Sequence, residues 1–251
     1  MTAAWQLKSG IMENTPDINK VLHQHVEMND FFSGGFTVGK KAQAHEENET
    51  SRSNTDEKIE LDRIADEVRQ CHKCRLGSLR ENAVPGEGNA MAQIFFIGEG
   101  PGAEEDAQGR PFVGRAGQLL DRIITAMKLR RSDVFIGNIL KCRPPENRDP
   151  KPDEIITCLP YLQRQIEVIN PRIIVALGAH AARTLLGTNK PIGALRGRFH
   201  EYIPGFGKDA IKLMATYHPA YLLRNYSQDN RRRVWEDMKK VLAELGLGGP
   251  E

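Results

Sequence analysis

The chain holds four cysteines, and their spacing is the first hint of chemistry: Cys71-His-Lys-Cys74, then Cys142 within Lys-Cys-Arg-Pro-Pro, then Cys158. A tight Cys-x-x-Cys pair joined by two distant thiolates makes a four-sulfur cage, suited to Zn²⁺ or to an iron–sulfur cluster. Structural zinc usually takes two short knuckles. Here the second pair is split by fifteen residues, 143 to 157, so a second knuckle is missing. Lys73, Arg75, Lys141 and Arg143 flank the sulfurs and would partly offset the negative charge of a cubane held by four thiolates. These points favour a [4Fe–4S] cluster over zinc, and either over two disulfides or four unrelated buried thiols.

Three further blocks carry reactive or recognition chemistry. The first runs Gly98-Glu99-Gly100-Pro101-Gly102-Ala103-Glu104-Glu105 and continues to Gly109-Arg110-Pro111-Phe112-Val113-Gly114. Glycines at a strand end let the backbone approach a ligand closely. Read literally, Gly98-x-Gly100-x-x-Ala103 matches a dinucleotide fingerprint. That reading is weak, because a loop is expected after it and the next strand ends in Leu-Lys-Cys instead of an acidic residue. The second block is Asn138-Ile-Leu-Lys-Cys142-Arg-Pro-Pro. An asparagine at a strand tip offers a donor and an acceptor on one side chain, which matches the imide edge of a nucleobase; the plainer alternative is a turn-forming Asn. The third is Thr216-Tyr-His218-Pro-Ala-Tyr-Leu-Leu-Arg224. A residue before proline is held extended, so the backbone aims His218, unless it is only a satisfied structural histidine. The other six histidines have no such context and read as surface or core residues.

These blocks need a scaffold, and the hydrophobic pattern supplies one. Residues 1–56 are polar and irregular, reading as a flexible tail with one short helix near Asp17–Asn29. The organised part is expected over 57–251. A helical stripe of Ile59, Leu61, Ile64 and Val68 runs into Cys71. Short apolar runs at 94–97, 134–140, 173–177 and 212–217 predict four strands. Helices are expected at 116–128, 152–169, 179–186 and 229–245 between and after them. Alternation of strand and helix argues a three-layer α/β/α fold around a mostly parallel four-stranded sheet. Ligands in such sheets bind beyond the C-terminal strand ends, where every block above is placed.

Composition sets limits. The net charge of +2 conceals an acidic tail, with 5 Lys+Arg against 8 Asp+Glu in residues 1–56, and a basic remainder, 30 against 25. A polyanionic partner is permitted by this balance without being required by it. No apolar run approaches a membrane span, and the first residues lack a signal-peptide pattern. A soluble cytoplasmic protein is therefore expected, a setting that favours metal sites over disulfides.

Taken together the blocks resemble one family, the iron–sulfur uracil-DNA glycosylases known as family 4. The resemblance runs from about Leu61 to Leu245 and rests on GEGPG…GRPFVG, NxxKCRPP, HPAYLLR and the four cysteines in order. It implies an α/β/α domain, a structural [4Fe–4S] cluster on Cys71, Cys74, Cys142 and Cys158, and hydrolysis of the N-glycosidic bond of deoxyuridine in DNA. It further implies a uracil pocket made by Gly100, Glu105, Phe112, Asn138 and His218, with Glu99 facing the sugar. Phe112 would stack on the flipped base and Asn138 would read its edge, while His218 donates to uracil O2. Either Glu99 or main-chain groups alone position the water. Arg224, with Leu222 and Leu223, would enter the DNA stack from a loop. Arg143, Lys141 and Arg231-Arg232-Arg233 are candidates for phosphate contacts. The partner would be uracil-containing DNA, single- or double-stranded, met by a monomer. The rival readings are a glycosylase of other base specificity (hypoxanthine, for instance), a non-catalytic iron–sulfur nucleic-acid-binding module, and an electron-transfer protein. The last lacks the compact ferredoxin cysteine run.

Overall fold

Strands β2 (Ile94–Gly98) and β4 (Ile173–Leu177) are buried at every position, so both faces of the sheet centre are covered. In the computed structural model, which describes residues 54–205 and 208–248, these strands lie at the middle of a six-stranded sheet. The strand order is β1-β3-β2-β4-β6-β5, with β1 at Glu87–Gly88, β3 at Phe135–Asn138, β5 at Phe199–Tyr202 and β6 at Ile211–Thr216. The four inner strands are parallel, with Phe96 opposite Ile136 and Val175, and Val175 opposite Met214. The two edges are antiparallel.

The four-stranded expectation is thus corrected to six strands. The added edges are short. β1 has two residues, and β5 (Phe-His-Glu-Tyr) buries only Tyr202 fully, so neither carries a continuous apolar signal.

Helices are set by apolar stripes and their ends. Helix α1 (Asn54–Arg69) begins before the boundary expected at 57 and buries Glu57, Leu61, Ile64 and Val68. Helix α2 (Ala103–Gln108) replaces the loop expected after the first glycine block; it is six polar or small residues stopped by Gly109 at φ 68°. Helix α3 (Arg115–Ala126) buries Gly117, Leu120 and Ile124. Helix α4 (Pro152–Ile169) starts on a first-turn proline and ends at Asn170 in the left-handed region. It packs against α1. Helix α5 (Ala179–Leu186) follows β4, and the short α6 (Ile192–Leu195) follows it. Helix α7 (Pro219–Arg224) takes the place of the loop expected after His218. Helix α8 (Gln228–Glu244) buries Val234, Met238, Val241 and Leu242.

One core cluster joins Ile94, Phe96, Ile136, Val175 and Met214 of the sheet to Leu120 and Ile124 of α3 and to Met238 and Val241 of α8. Each such fully buried side chain contributes about 1.5–3 kcal/mol. The residues alternating with them, such as Phe95, Ile97, Ile174 and Leu213, are equally buried on the other face. Among the described residues no helix is long and apolar enough to cross a membrane. The helix expected near Asp17–Asn29 lies outside the described residues.

Candidate active site

The parallel strands β2, β3, β4 and β6 all end at one edge of the sheet, and a cleft of about 650 Å³ opens there. This is the size of a small-molecule site. All three sequence blocks line it, with Glu99, Gly100 and Phe112 from the first, Asn138 from the second and His218 and Arg224 from the third.

Asn138, the last residue of β3, is 1% exposed, and its Oδ1 has no hydrogen-bond partner among the described residues. A buried carbonyl oxygen left unpaired costs about 1–3 kcal/mol, a cost that a ligand donor would remove. Gly98 beside it has no room for a side chain: a Cβ there would lie 2.4 Å from Asn138 Oδ1 and 2.6 Å from Phe112 Cζ.

Phe112 is buried and held at φ 50°, an uncommon conformation for a bulky residue. Its surroundings enforce that shape. Arg131 donates to the Phe112 carbonyl at 3.2 Å and to the Pro111 carbonyl, and pairs with Asp121 and Glu87. The Phe112 backbone also rests on Gly117, where a Cβ would come within 1.9 Å of its oxygen. The Phe112 ring stands 5.7 Å from the His218 ring, tilted by 32°.

His218 caps helix α7: its Nδ1 accepts the Ala220 N–H at 3.1 Å. The proton of the neutral ring is thereby left on Nε2. Burial, helped by the nearby Arg224 charge, lowers its pKa to about 4, so the ring is neutral at pH 7. Gly178, at φ 93°, lets the β4 turn approach the His218 Cβ. The cleft is therefore lined by both a neutral donor and an unpaired acceptor.

The two carboxylates of the first block differ. Glu105 accepts from Val113 N and Gly114 N at 2.9 Å each and from Gly102 N at 3.1 Å, so it ties the two glycine segments together. Among the described residues Glu99 has no such bonds. Burial raises its pKa and Asp149 adds to that, against the opposing charges of His180 and Arg224. His180, read from sequence as an ordinary histidine, lines the cleft at the start of α5. Neither it nor Arg131 sits in a recognisable block, and for Arg131 only the fold reveals the clamp.

Two of the DNA-contact candidates, Leu222 and Lys141, are buried in this structure. Leu222 is 4% exposed and packs into the core from helix α7, whereas Leu223 is 39% exposed and Arg224 borders the cleft. Lys141 is 1% exposed and donates to Gln165 Oε1 at 2.6 Å, so its ammonium is not presented at the surface. Arg143 hydrogen-bonds Asn147 near the surface. Arg232 and Arg233 both pair with Asp229.

On a separate wall, the four cysteines, all free, line one small cavity with Arg80, Lys141 and Tyr161. They come from the turn after α1, the loop after β3, and α4. Arg80 donates to Cys142 Sγ at 3.0 Å and the Lys141 amide to Cys158 Sγ at 3.2 Å. Burial pushes the Cys158 thiol up to about 12. Four convergent sulfurs, with N–H groups aimed at two of them, fit a tetrathiolate centre, whose binding displaces the thiol protons. The guanidinium that reaches a sulfur belongs to Arg80, which sequence spacing does not single out.

The comparisons agree with this geometry. The family model described as the uracil DNA glycosylase superfamily matches residues 85–239. The chain is 52% identical over 191 residues to a type-4 uracil-DNA glycosylase of Saccharolobus solfataricus, covering 74% of this chain and 86% of that protein. It is 47% identical over 192 residues to one of Sulfurisphaera tokodaii, covering 74% and 85%. It is 47% identical over 179 residues to one of Thermotoga maritima, covering 71% and 91%. On this similarity and this fold, the chain belongs to the uracil-DNA glycosylase superfamily and groups with its type-4 members.

Proposed function

We propose that the protein is a DNA-repair glycosylase that flips uracil out of DNA, hydrolyses its N-glycosidic bond and leaves an abasic site. The observation that carries this reading is the buried, unpartnered Asn138 Oδ1 at the floor of the cleft. Uracil N3–H is the donor it lacks, and the Asn138 amide N–H group would meet O4. Flipping costs a few kcal/mol, least for a mispaired or single-stranded base, so both single- and double-stranded DNA are suitable substrates. Phe112 stacks on the extruded ring. Leu223 and Arg224 border the gap it leaves, and Arg143 lies near the strand.

Cleavage breaks the bond between sugar C1′ and uracil N1, and the electron pair leaves on the uracil. His218, through Nε2–H, donates to O2, where the developing charge collects. A neutral imidazole suits this role because it binds the anion without requiring a proton at the start of the reaction. Water adds its oxygen to C1′ and gives up a proton, and Glu99 orients that water and accepts the proton. Glu105 acts indirectly, by keeping the glycine segments closed beneath the base.

Cys71, Cys74, Cys142 and Cys158 would hold a [4Fe–4S] cluster. The cluster would supply a structural cross-link between the turn after α1, the loop after β3 and α4. The catalytic domain begins at α1, works as a monomer and belongs in the cytoplasm, where free thiols persist.

Asn138→Asp tests the reading of the base edge. Uracil excision should fall sharply, and weak release of cytosine would accompany the changed donor–acceptor pattern. Unchanged uracil excision would overturn the assignment.

A further inference from the structure

Three side chains from three separate elements meet on one wall of the cleft, and only Glu99 has been given a task. Glu99 follows β2, Asp149 precedes α4, and His180 stands in the first turn of α5. His180 Nε2 is 3.5 Å from Asp149 Oδ1 and 4.0 Å from Glu99 Oε2. Potential ligand or hydrogen-bonding atoms of all three lie within 4.8 Å of one another. Among the described residues no group donates a hydrogen bond to the Glu99 carboxylate, in contrast to the three backbone bonds that fix Glu105.

A carboxylate that holds water against a sugar needs a fixed direction and a negative charge. Burial opposes the charge, and the neighbouring Asp149 carboxylate opposes it too; His180 and, more weakly, Arg224 favour it. The other charged or titratable groups around it are otherwise engaged. His218 is neutral, and Arg148 is paired with Glu154.

We propose that His180 is the positioning residue of the water site: its imidazole Nε2, set between the Asp149 and Glu99 carboxylates, orients Glu99 toward the sugar. This rests on the role given to Glu99 above. The gap of 4.0 Å leaves the two side chains adjustable until substrate closes over them. His180 is half-buried at a helix start, so replacing it leaves the core packing in place.

The test is single-turnover uracil excision against pH, run in chelator so that no cation bridges the carboxylates. The proteins are the parent, His180→Ala, His180→Lys, Glu99→Gln and the double variant, each checked for folding by circular dichroism. With His180→Ala the acid limb should move to higher pH, with roughly threefold to tenfold loss of rate at about pH 5.5. His180→Lys should move it back, which a purely structural role for His180 would not produce. The double variant should lose no more than Glu99→Gln alone, because both changes act on one group. An unmoved acid limb in His180→Ala, or fully additive losses in the double variant, would overturn the proposal. If Glu99→Gln cleaves at the parent rate, the role of Glu99 and this inference fall together, while uracil release by the parent still stands.

Discussion

Gly98→Ala probes the base-reading floor with a single methyl group. The glycine does not occupy the left-handed region, so alanine meets no backbone penalty and the effect is steric. The new Cβ would sit 2.4 Å from Asn138 Oδ1, 2.6 Å from Phe112 Cζ and 2.8 Å from Phe112 Cε2. Ordinary contacts need about 3.5 Å, so both side chains must retreat by roughly 1 Å. Neither has somewhere to go. Phe112 is clamped through Arg131 and Gly117, and Asn138 is buried. Overpacking of this kind costs about 1–3 kcal/mol, or a few degrees in Tm. Misplacing a reacting group by about 1 Å costs roughly a hundredfold in rate. Single-turnover excision should therefore collapse by about that factor while the melting temperature, followed by circular dichroism, drops only modestly. Excision within about threefold of the parent would refute the argument that Asn138 and Phe112 together form the floor.

Other perturbations separate the remaining parts. His218→Ala should lower the single-turnover rate by roughly 10²–10³ with little change in affinity for uracil DNA, since the donor acts chiefly in the transition state; parent-like cleavage would remove it from the mechanism. The folded pKa of His218 is about 4, below the unfolded value of about 6.5, so the unfolded chain takes the proton first. The stability associated with His218 should thus be present above about pH 6.5 and decline as pH falls toward about 4. A His218→Gln variant should show a correspondingly weaker decline in denaturant titrations. Cys142→Ser should lower iron content and melting temperature before it alters chemistry; four irons per chain are expected in anaerobically prepared parent, and one zinc without iron would contradict the cluster. Removing residues 1–53 should leave excision nearly unchanged, whereas cutting at 56 trims the first turn of α1 and should lower stability.

The parts legible in the sequence were those where burial leaves an uninterrupted mark. Ile-Phe-Phe-Ile-Gly and Ile-Ile-Val-Ala-Leu are apolar throughout because helices cover both faces of the inner strands. Edge strands bury less. Phe199–Tyr202 therefore alternates irregularly, and Glu87–Gly88 is too short to show a period. Helix α2 has no apolar face; its start is held by Glu105 reaching back to the Gly102 amide, a contact that no periodicity reports. At the site, Asn138, Phe112 and His218 were visible because glycine, proline or a strand tip sets the backbone of each. The inward turn of Leu222 is not legible in the sequence, because a short helix and not a loop carries it. Lys141 reads as a surface cation because lysine is seldom buried, yet the chain folds it against Gln165 in the cavity lined by the cysteines. His180 and Arg131 owe their places to tertiary approach alone.

The central claim is that this cleft removes uracil and leaves the sugar–phosphate chain whole. Counting both products of one reaction on an oligonucleotide with a single uracil tests it most directly. Free uracil is measured by mass spectrometry and abasic sites by strand breakage after alkali. Equal amounts of the two are expected, with no break before alkali and no covalent adduct on borohydride treatment, because the lysine of the second block is buried away from the cleft. Tight binding to the oligonucleotide without uracil release, or strand cleavage accompanied by a trapped adduct, would contradict it.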